Sequence, residues 1–71
     1  MKEILIETEY IRMDQLLKYA NIVGSGGEAK ILIKEGLVKV NGEVVTQRGK
    51  KIKNKDIIEI EDIKLKVLNK K

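Results

Sequence analysis

One stretch of the sequence, Gly24 to Lys51, constrains the fold most strongly because it carries the signals for a helix, its end and a tight hairpin. Ser25 followed three residues later by Glu28 is the pattern of a capping box. In that motif the hydroxyl accepts a hydrogen bond from the glutamate N–H, and the carboxylate reaches back to the serine N–H. Gly36 supplies a left-handed helix end. The stretch therefore predicts a helix from Ser25 to about residue 35.

The hairpin signal lies just beyond this helix. Asn41-Gly42 stands between alternating residues, and both positions of a two-residue turn need positive φ. Asn41 is interpreted as a turn residue. The alternative is that its side chain contacts a phosphate or a ribose. A polar loop that is expected to be flexible, residues 46–50, follows, and Ile52 then returns to the core.

The flanking segments contain one more helix and several strands. Met13, Leu16, Leu17 and Ala20 are spaced as one apolar face of a helix, which Asn21 is expected to end. Residues 2–7, 57–61 and 63–67 have the short apolar or alternating patterns of strands. The last strand is expected to pair with the first and close a small sheet. Asp14 and Lys18, four residues apart, are predicted to form an ion pair.

The composition limits the chemistry. Seventy-one residues make a single small domain, 1–71, with a thin margin of stability. The sequence has no Cys and no His, which excludes disulfides, thiolate catalysis and, in practice, a zinc site. No motif pairs a nucleophile with a base, so we expect no enzyme, cofactor, metal or small-molecule substrate. No apolar run suits a signal peptide or membrane span, which favours a cytoplasmic location. We also expect a monomer.

The positive charge is concentrated in the middle of the chain. Residues 24–55 contain eight basic and three acidic side chains, whereas the flanking segments are close to neutral within a chain of net charge +4. Such a block indicates binding to phosphate. The only aromatic residues are Tyr10 and Tyr19, which are expected to be half-buried. Because single-strand binders stack bases on aromatic side chains, a nucleic-acid ligand would be recognised mainly by backbone shape.

Three features of the basic block are candidates for phosphate contact. Ser25-Gly26-Gly27 opens a helix whose free N–H groups suit an anion, although capping and turning alone also explain it. Lys30 and Lys34 share one flank of that helix, where they could contact phosphates. The alternative is that they simply form a solvated face. Arg48-Gly49-Lys50-Lys51 is a basic loop that could contact phosphates. The alternative is that it is flexible and binds nothing specifically. We expect the three features to lie on one side of the molecule.

These segments together resemble a known family. The RNA-binding domain named after small-subunit ribosomal protein S-four, and in particular the small stand-alone bacterial proteins of the YaaA/YbcJ type, have similar motifs in the same order. The resemblance covers roughly residues 10–61. It is carried by RMDQLLK from Arg12, SGGEAK from Ser25, EGLVKVNG from Glu35, RGKKI from Arg48 and DII from Asp56.

The resemblance implies an α+β fold, in which a two-helix corner (an αα hairpin) packs on a small, mostly antiparallel sheet of four to five short strands. Strands 2–7 and 63–68 would complete the sheet. Where the family commonly has a glycine, this chain has Asn54, which is expected to take the same left-handed turn. By the same resemblance, RNA contacts would come from Arg12, Lys18, Ser25, Gly26, Lys30, Lys34, Arg48, Lys50 and Lys51.

The resemblance further implies a non-catalytic protein that binds structured RNA, in particular ribosomal RNA or the ribosome, during ribosome assembly or translation. An alternative is a protein-interaction module that docks a partner through a sheet edge or through Ile31, which lies off the apolar stripe of its helix. Transfer RNA or another nucleic acid, including DNA, is a further alternative, because phosphate contacts alone do not identify the sugar.

Overall fold

The structure, a computed structural model, describes residues 1–70, which form two short helices and seven strands. In chain order the elements are β1 (Lys2–Ile6), β2 (Tyr10–Arg12), α1 (Met13–Tyr19), α2 (Gly26–Lys34), β3 (Val38–Val40), β4 (Glu43–Val44), β5 (Lys51–Lys53), β6 (Ile57–Ile60) and β7 (Ile63–Asn69). Both helices lie where the apolar spacing predicts them.

Five of these strands form one sheet in the order β1-β7-β6-β3-β4. The first and last strands pair in parallel, with Ile4 opposite Val67, and the other three pairs are antiparallel. The predicted pairing of the chain ends is therefore present. The expected α+β class, with two helices and a mostly antiparallel sheet, is confirmed.

The core between the helices and the sheet is entirely apolar. No polar or charged side chain within residues 1–70 is buried. Alternate strand residues such as Ile58 and Val67 point inward and join Leu16 and Leu17 of α1 and Ile33 of α2 in one cluster. The burial of these side chains supplies the main driving force for folding.

The opposite face of the sheet is exposed and carries paired charges. Lys39 lies directly opposite Glu59, and Glu59 lies directly opposite Lys64 on the next strand. Cross-strand pairs of opposite charge contribute roughly 0.2–1 kcal/mol each. The lysines of this outer face are therefore next to a compensating carboxylate.

A separate two-stranded ribbon joins β2 to β5, and the sequence patterns did not predict it. Tyr10 pairs with Lys53, Ile11 with Ile52, and Arg12 with Lys51. Ile52 is fully buried, as expected. The ribbon fixes the residues before α1 against the residues that follow the basic loop.

The turns follow the predicted chemistry with one exception. Asn21, Gly36, Asn41 and Gly42 all have positive φ, as their types and positions predict. In the turn after β5, however, the left-handed residue is Lys55, with φ 73°, and the prediction for Asn54 is wrong. The Asn54 side chain instead accepts a hydrogen bond of 2.8 Å from the backbone N–H of Asn69.

The two tyrosines and Ile31 lie at the surface. Tyr10 is 42% exposed, which is close to the half-buried position predicted for it, whereas Tyr19 is 61% exposed and more open than predicted. The Tyr19 hydroxyl donates to the Leu5 carbonyl of β1 at 3.2 Å, which satisfies its polar end without burying the ring. Ile31 is 58% exposed and is covered by no other described element. Neither helix in residues 1–70 is long and apolar enough to cross a membrane.

Asn41 does more than form the hairpin turn. Its carbonyl oxygen accepts from the N–H of Ile57 at 2.9 Å, and its amide donates to the Asp56 carboxylate at 3.1 Å. The same carboxylate accepts from the N–H of Lys53 at 2.8 Å. The Asn41 side chain thus joins the hairpin to the turn before β6, which favours the structural interpretation of this residue over phosphate contact.

We predict that Asn41→Gly lowers the free energy of unfolding by about 1–3 kcal/mol, because it removes two hydrogen bonds while keeping a residue suited to positive φ. Asn21→Gly is the matched control. Asn21 also has positive φ, but its side chain makes no hydrogen bond within residues 1–70. Urea unfolding of both variants measures the difference, and equal losses would contradict a role for the Asn41 side chain.

Candidate nucleic-acid interface

The basic loop is attached to the start of α1 by its backbone. The carbonyl of Lys50 accepts from the N–H of Met13 at 2.9 Å, and the carbonyl of Arg48 accepts from the N–H of Asp14 at 3.1 Å. The N-cap residue of α1, Arg12, makes no side-chain capping bond, so these loop carbonyls replace it. The loop that was expected to be flexible is thereby held against the helix.

Arg12 is oriented by a neighbouring carboxylate. Its guanidinium donates to the Asp14 carboxylate at 3.2 Å, and the Arg12 side chain is still half exposed. The second oxygen of Asp14 accepts from the N–H of Gln15 at 2.9 Å. The predicted ion pair between Asp14 and Lys18 is absent from residues 1–70, because Asp14 pairs with Arg12.

Four predicted site residues converge at this point. Lys51 lies opposite Arg12 in the β2–β5 ribbon, and the guanidinium of Arg12 lies about 4 Å from where a side chain on Gly49 would begin. All four cations are exposed, and only one of them has an ion-pair partner among the described residues. We call this set the loop cluster; it consists of Arg12, Arg48, Lys50 and Lys51.

The start of α2 is open to solvent. The Ser25 hydroxyl accepts from the N–H of Glu28 at 3.3 Å, which is the first bond of the predicted capping box. The return bond from the Glu28 carboxylate to Ser25 is absent from residues 1–70, and that carboxylate lies towards Gly24 instead. A side chain placed on Gly26 would meet nothing within 4 Å, and the φ of Gly26 is not positive. Neither packing nor backbone conformation therefore requires glycine at position 26.

The remaining predicted residues lie on the helices. Lys30 is partly exposed and Lys34 is exposed, one turn apart on α2. Together with Ser25 and Gly26 they form what we call the α2 group. Lys18 is exposed in the last turn of α1, away from the loop cluster at the first turn. No hydrogen bond or ion pair within residues 1–70 joins the α2 group to the loop cluster.

The arrangement suits the binding of anions. Within the described part of the chain, no group of three or more Asp, Glu, His or Cys side chains is placed to hold a metal ion. The cations are distributed over an exposed surface, and no buried nucleophile or base accompanies them. Such a surface binds an extended polyanion by neutralising several phosphates at once.

Two residues of this region were missed from the sequence. Tyr10 and Lys53 lie on the ribbon beside Arg12 and Lys51. The available signal was the alternation of polar, apolar and polar residues in both Tyr10-Ile11-Arg12 and Lys51-Ile52-Lys53. Because each segment is only three residues long, neither pattern distinguishes a strand from a loop without its partner.

Comparison with known proteins gives consistent matches. A family profile described as the S4 domain matches residues 4–68. The probable ribosome maturation protein RlbA of Bacillus subtilis (strain 168) is 45% identical over 58 residues, which are 82% of this chain and 82% of that protein. The ribosomal large subunit pseudouridine synthase B of the same organism is 44% identical over 54 residues, which are 76% of this chain but only 22% of that enzyme.

Solved structures give the same fold. The solution structure of YbcJ from E. coli, described as revealing a motif involved in RNA binding, superimposes with a TM-score of 0.74 and 30% identity, covering 96% of this chain and 87% of YbcJ. The 30S ribosomal protein S4e from Thermoplasma acidophilum shares the fold alone, with a TM-score of 0.61 and 24% identity over 82% of this chain and 31% of that protein. From the profile match, the relatives and the shared architecture we conclude that this chain belongs to the S4 domain family.

Proposed function

We propose that this protein binds folded ribosomal RNA through the loop cluster and the α2 group, and that it takes part in ribosome maturation. It acts by binding rather than by catalysis, as a cytoplasmic monomer. The observation that carries the proposal is the convergence of Arg12, Arg48, Lys50 and Lys51 at the start of α1. RlbA is a probable ribosome maturation protein and the synthase acts on the ribosomal large subunit by name, which supports ribosomal RNA as the ligand.

The two groups are close enough to contact one RNA. Helix α1 separates Arg12 of the loop cluster from the start of α2 along the chain. Its seven residues span about 10 Å at roughly 1.5 Å per residue. The whole molecule measures 32 × 22 × 18 Å. We therefore expect a single RNA helix to contact both groups, which is part of the proposal.

The two helix starts contribute to this surface in different ways. The first N–H groups of α1 are bonded to loop carbonyls, so α1 offers the side chain of Arg12 and not its amides. At α2 no acceptor within residues 1–70 is bonded to the N–H groups of Gly26 and Gly27. Free N–H groups at a helix start attract phosphate. The glycines allow a phosphate to approach that start closely, which offsets their lower helix propensity.

We predict that Arg48→Gln/Lys50→Gln weakens binding to purified ribosomal RNA and lowers the slope of log affinity against log salt by about 1.4 to 1.8, since each lost phosphate contact removes about 0.7 to 0.9. Lys39→Gln/Lys64→Gln is the matched control. It removes the same charge from the outer face of the sheet. Filter binding at several salt concentrations measures both, and equal effects would show that only net charge matters.

We predict that Gly26→Ala changes stability and binding in opposite directions. The substitution should stabilise the fold by about 0.4–1 kcal/mol, because the native backbone suits alanine and space is open. The added methyl group should weaken binding to ribosomal RNA by hindering phosphate approach. Thermal unfolding and RNA binding of one preparation test both effects. Unchanged affinity would remove the start of α2 from the proposed surface.

The identity of the RNA is tested in cells. We predict that ultraviolet crosslinking followed by sequencing of the attached RNA recovers ribosomal RNA at defined positions, and that the Arg48→Gln/Lys50→Gln variant loses these crosslinks at equal protein level. Recovery of transfer RNA alone would identify a different ligand. Absence of RNA together with a captured protein partner would favour the protein-interaction alternative, with exposed Ile31 as a contact.

A further inference from the structure

The β2–β5 ribbon has one apolar and one polar face. Residues directly opposite each other in an antiparallel pair point to the same side. Ile11 and Ile52 form the inner pair, where Ile52 is fully buried and Ile11 packs against the core. The four remaining side chains are exposed on the outer face. We call this face the ribbon face; it consists of Tyr10, Arg12, Lys51 and Lys53.

Tyr10 on this face has no role in the core. The residue is 42% exposed and lies outside the buried cluster. Its hydroxyl makes no hydrogen bond within residues 1–70, in contrast to that of Tyr19, which bonds to β1. The ring contacts a cation instead, with the Lys51 ammonium 4.9 Å from the ring centroid. An exposed aromatic ring offers a face on which a nucleobase can stack, and neighbouring cations favour the phosphates of the same strand.

The surroundings of the ring are cationic. The ribbon face itself contains three cations and no carboxylate. Lys53 lies directly opposite Tyr10, and Arg12 lies two residues along the strand, about 7 Å away at roughly 3.4 Å per residue. The loop cluster shares Arg12 and Lys51 with this face, so the two surfaces are continuous. A nucleotide on Tyr10 would have cations at its phosphates on both sides.

From these placements we infer that the ribbon face binds one unpaired nucleotide of the RNA, with its base stacked on Tyr10 and its flanking phosphates at Arg12, Lys51 and Lys53. The inference rests on the proposed RNA-binding function and adds a preference within it. The bases of a continuous duplex are stacked on each other and are not available to a side chain, whereas those of loops and bulges are. The protein therefore prefers RNA that presents an unpaired base beside a helix.

The chain contains two tyrosines and no tryptophan, which allows a direct test by fluorescence. In Tyr19→Phe the only emitting side chain is Tyr10, and in Tyr10→Phe it is Tyr19. Each variant is titrated with a single-stranded oligouridylate of about eight nucleotides, a typical site size, and with an RNA duplex of equal length. We expect the single strand to quench Tyr10 emission saturably and to leave Tyr19 emission unchanged after correction for absorbance.

Affinities for the same two RNAs complete the test. Tyr10→Leu should bind the single strand at least about fivefold more weakly, the lower end expected for one stacked base, and should bind the duplex as wild type does. Tyr10→Phe should retain wild-type affinity, because it keeps the ring, and its thermal unfolding serves as the fold control.

The outcomes that overturn the inference alone can be distinguished from the outcome that overturns the proposed function as well. Binding of the single strand without quenching of Tyr10, or equal quenching of both tyrosines, would reject stacking on the ribbon face while leaving RNA binding intact. Failure of the wild-type protein to bind either RNA or ribosomal RNA would reject the proposed function, and the inference with it.

Discussion

Two backbone hydrogen bonds determine where the positive charge of this protein lies. They run from the N–H groups of Met13 and Asp14 to the carbonyls of Lys50 and Arg48. A helix of seven residues is too short to be stable by itself, and the side chain of the N-cap residue of α1, Arg12, makes no capping bond. The loop carbonyls satisfy its first donors. The same contact that completes the helix therefore brings Arg48 and Lys50 beside Arg12.

This arrangement explains why identical side chains have different roles on the two sides of the molecule. On the outer face of the sheet, Glu59 lies between Lys39 and Lys64, so one carboxylate offsets part of the charge of two lysines. In the loop cluster, Asp14 pairs with one of four cations, and it orients Arg12 while leaving half of that side chain exposed. Net charge alone does not reveal this partition, whereas strand register and hydrogen bonding do.

The sequence predicted the parts of the structure that depend on neighbouring residues. The Ser25 cap, the helix end at Gly36 and the Asn41-Gly42 turn each need only a few adjacent side chains, and each is present. The β2–β5 ribbon was not predicted, because it pairs two three-residue segments about 40 residues apart whose patterns are too short to be recognised. For the same reason Tyr10 and Lys53 were absent from the predicted site. The left-handed residue of the turn after β5 was predicted to be Asn54, but it is Lys55. The neighbouring residues do not reveal this, because the hydrogen bond between Asn54 and Asn69 depends on a distant strand.

Lysine footprinting can locate the bound RNA, since the chain has thirteen lysines. The protein is acetylated with and without bound ribosomal RNA, and the modified positions are quantified by mass spectrometry. We expect RNA to protect Lys30, Lys34, Lys50 and Lys51 and to leave Lys39 and Lys64 reactive. Protection of Lys39 and Lys64 with continued reactivity at Lys50 and Lys51 would place the RNA on the opposite face and contradict it.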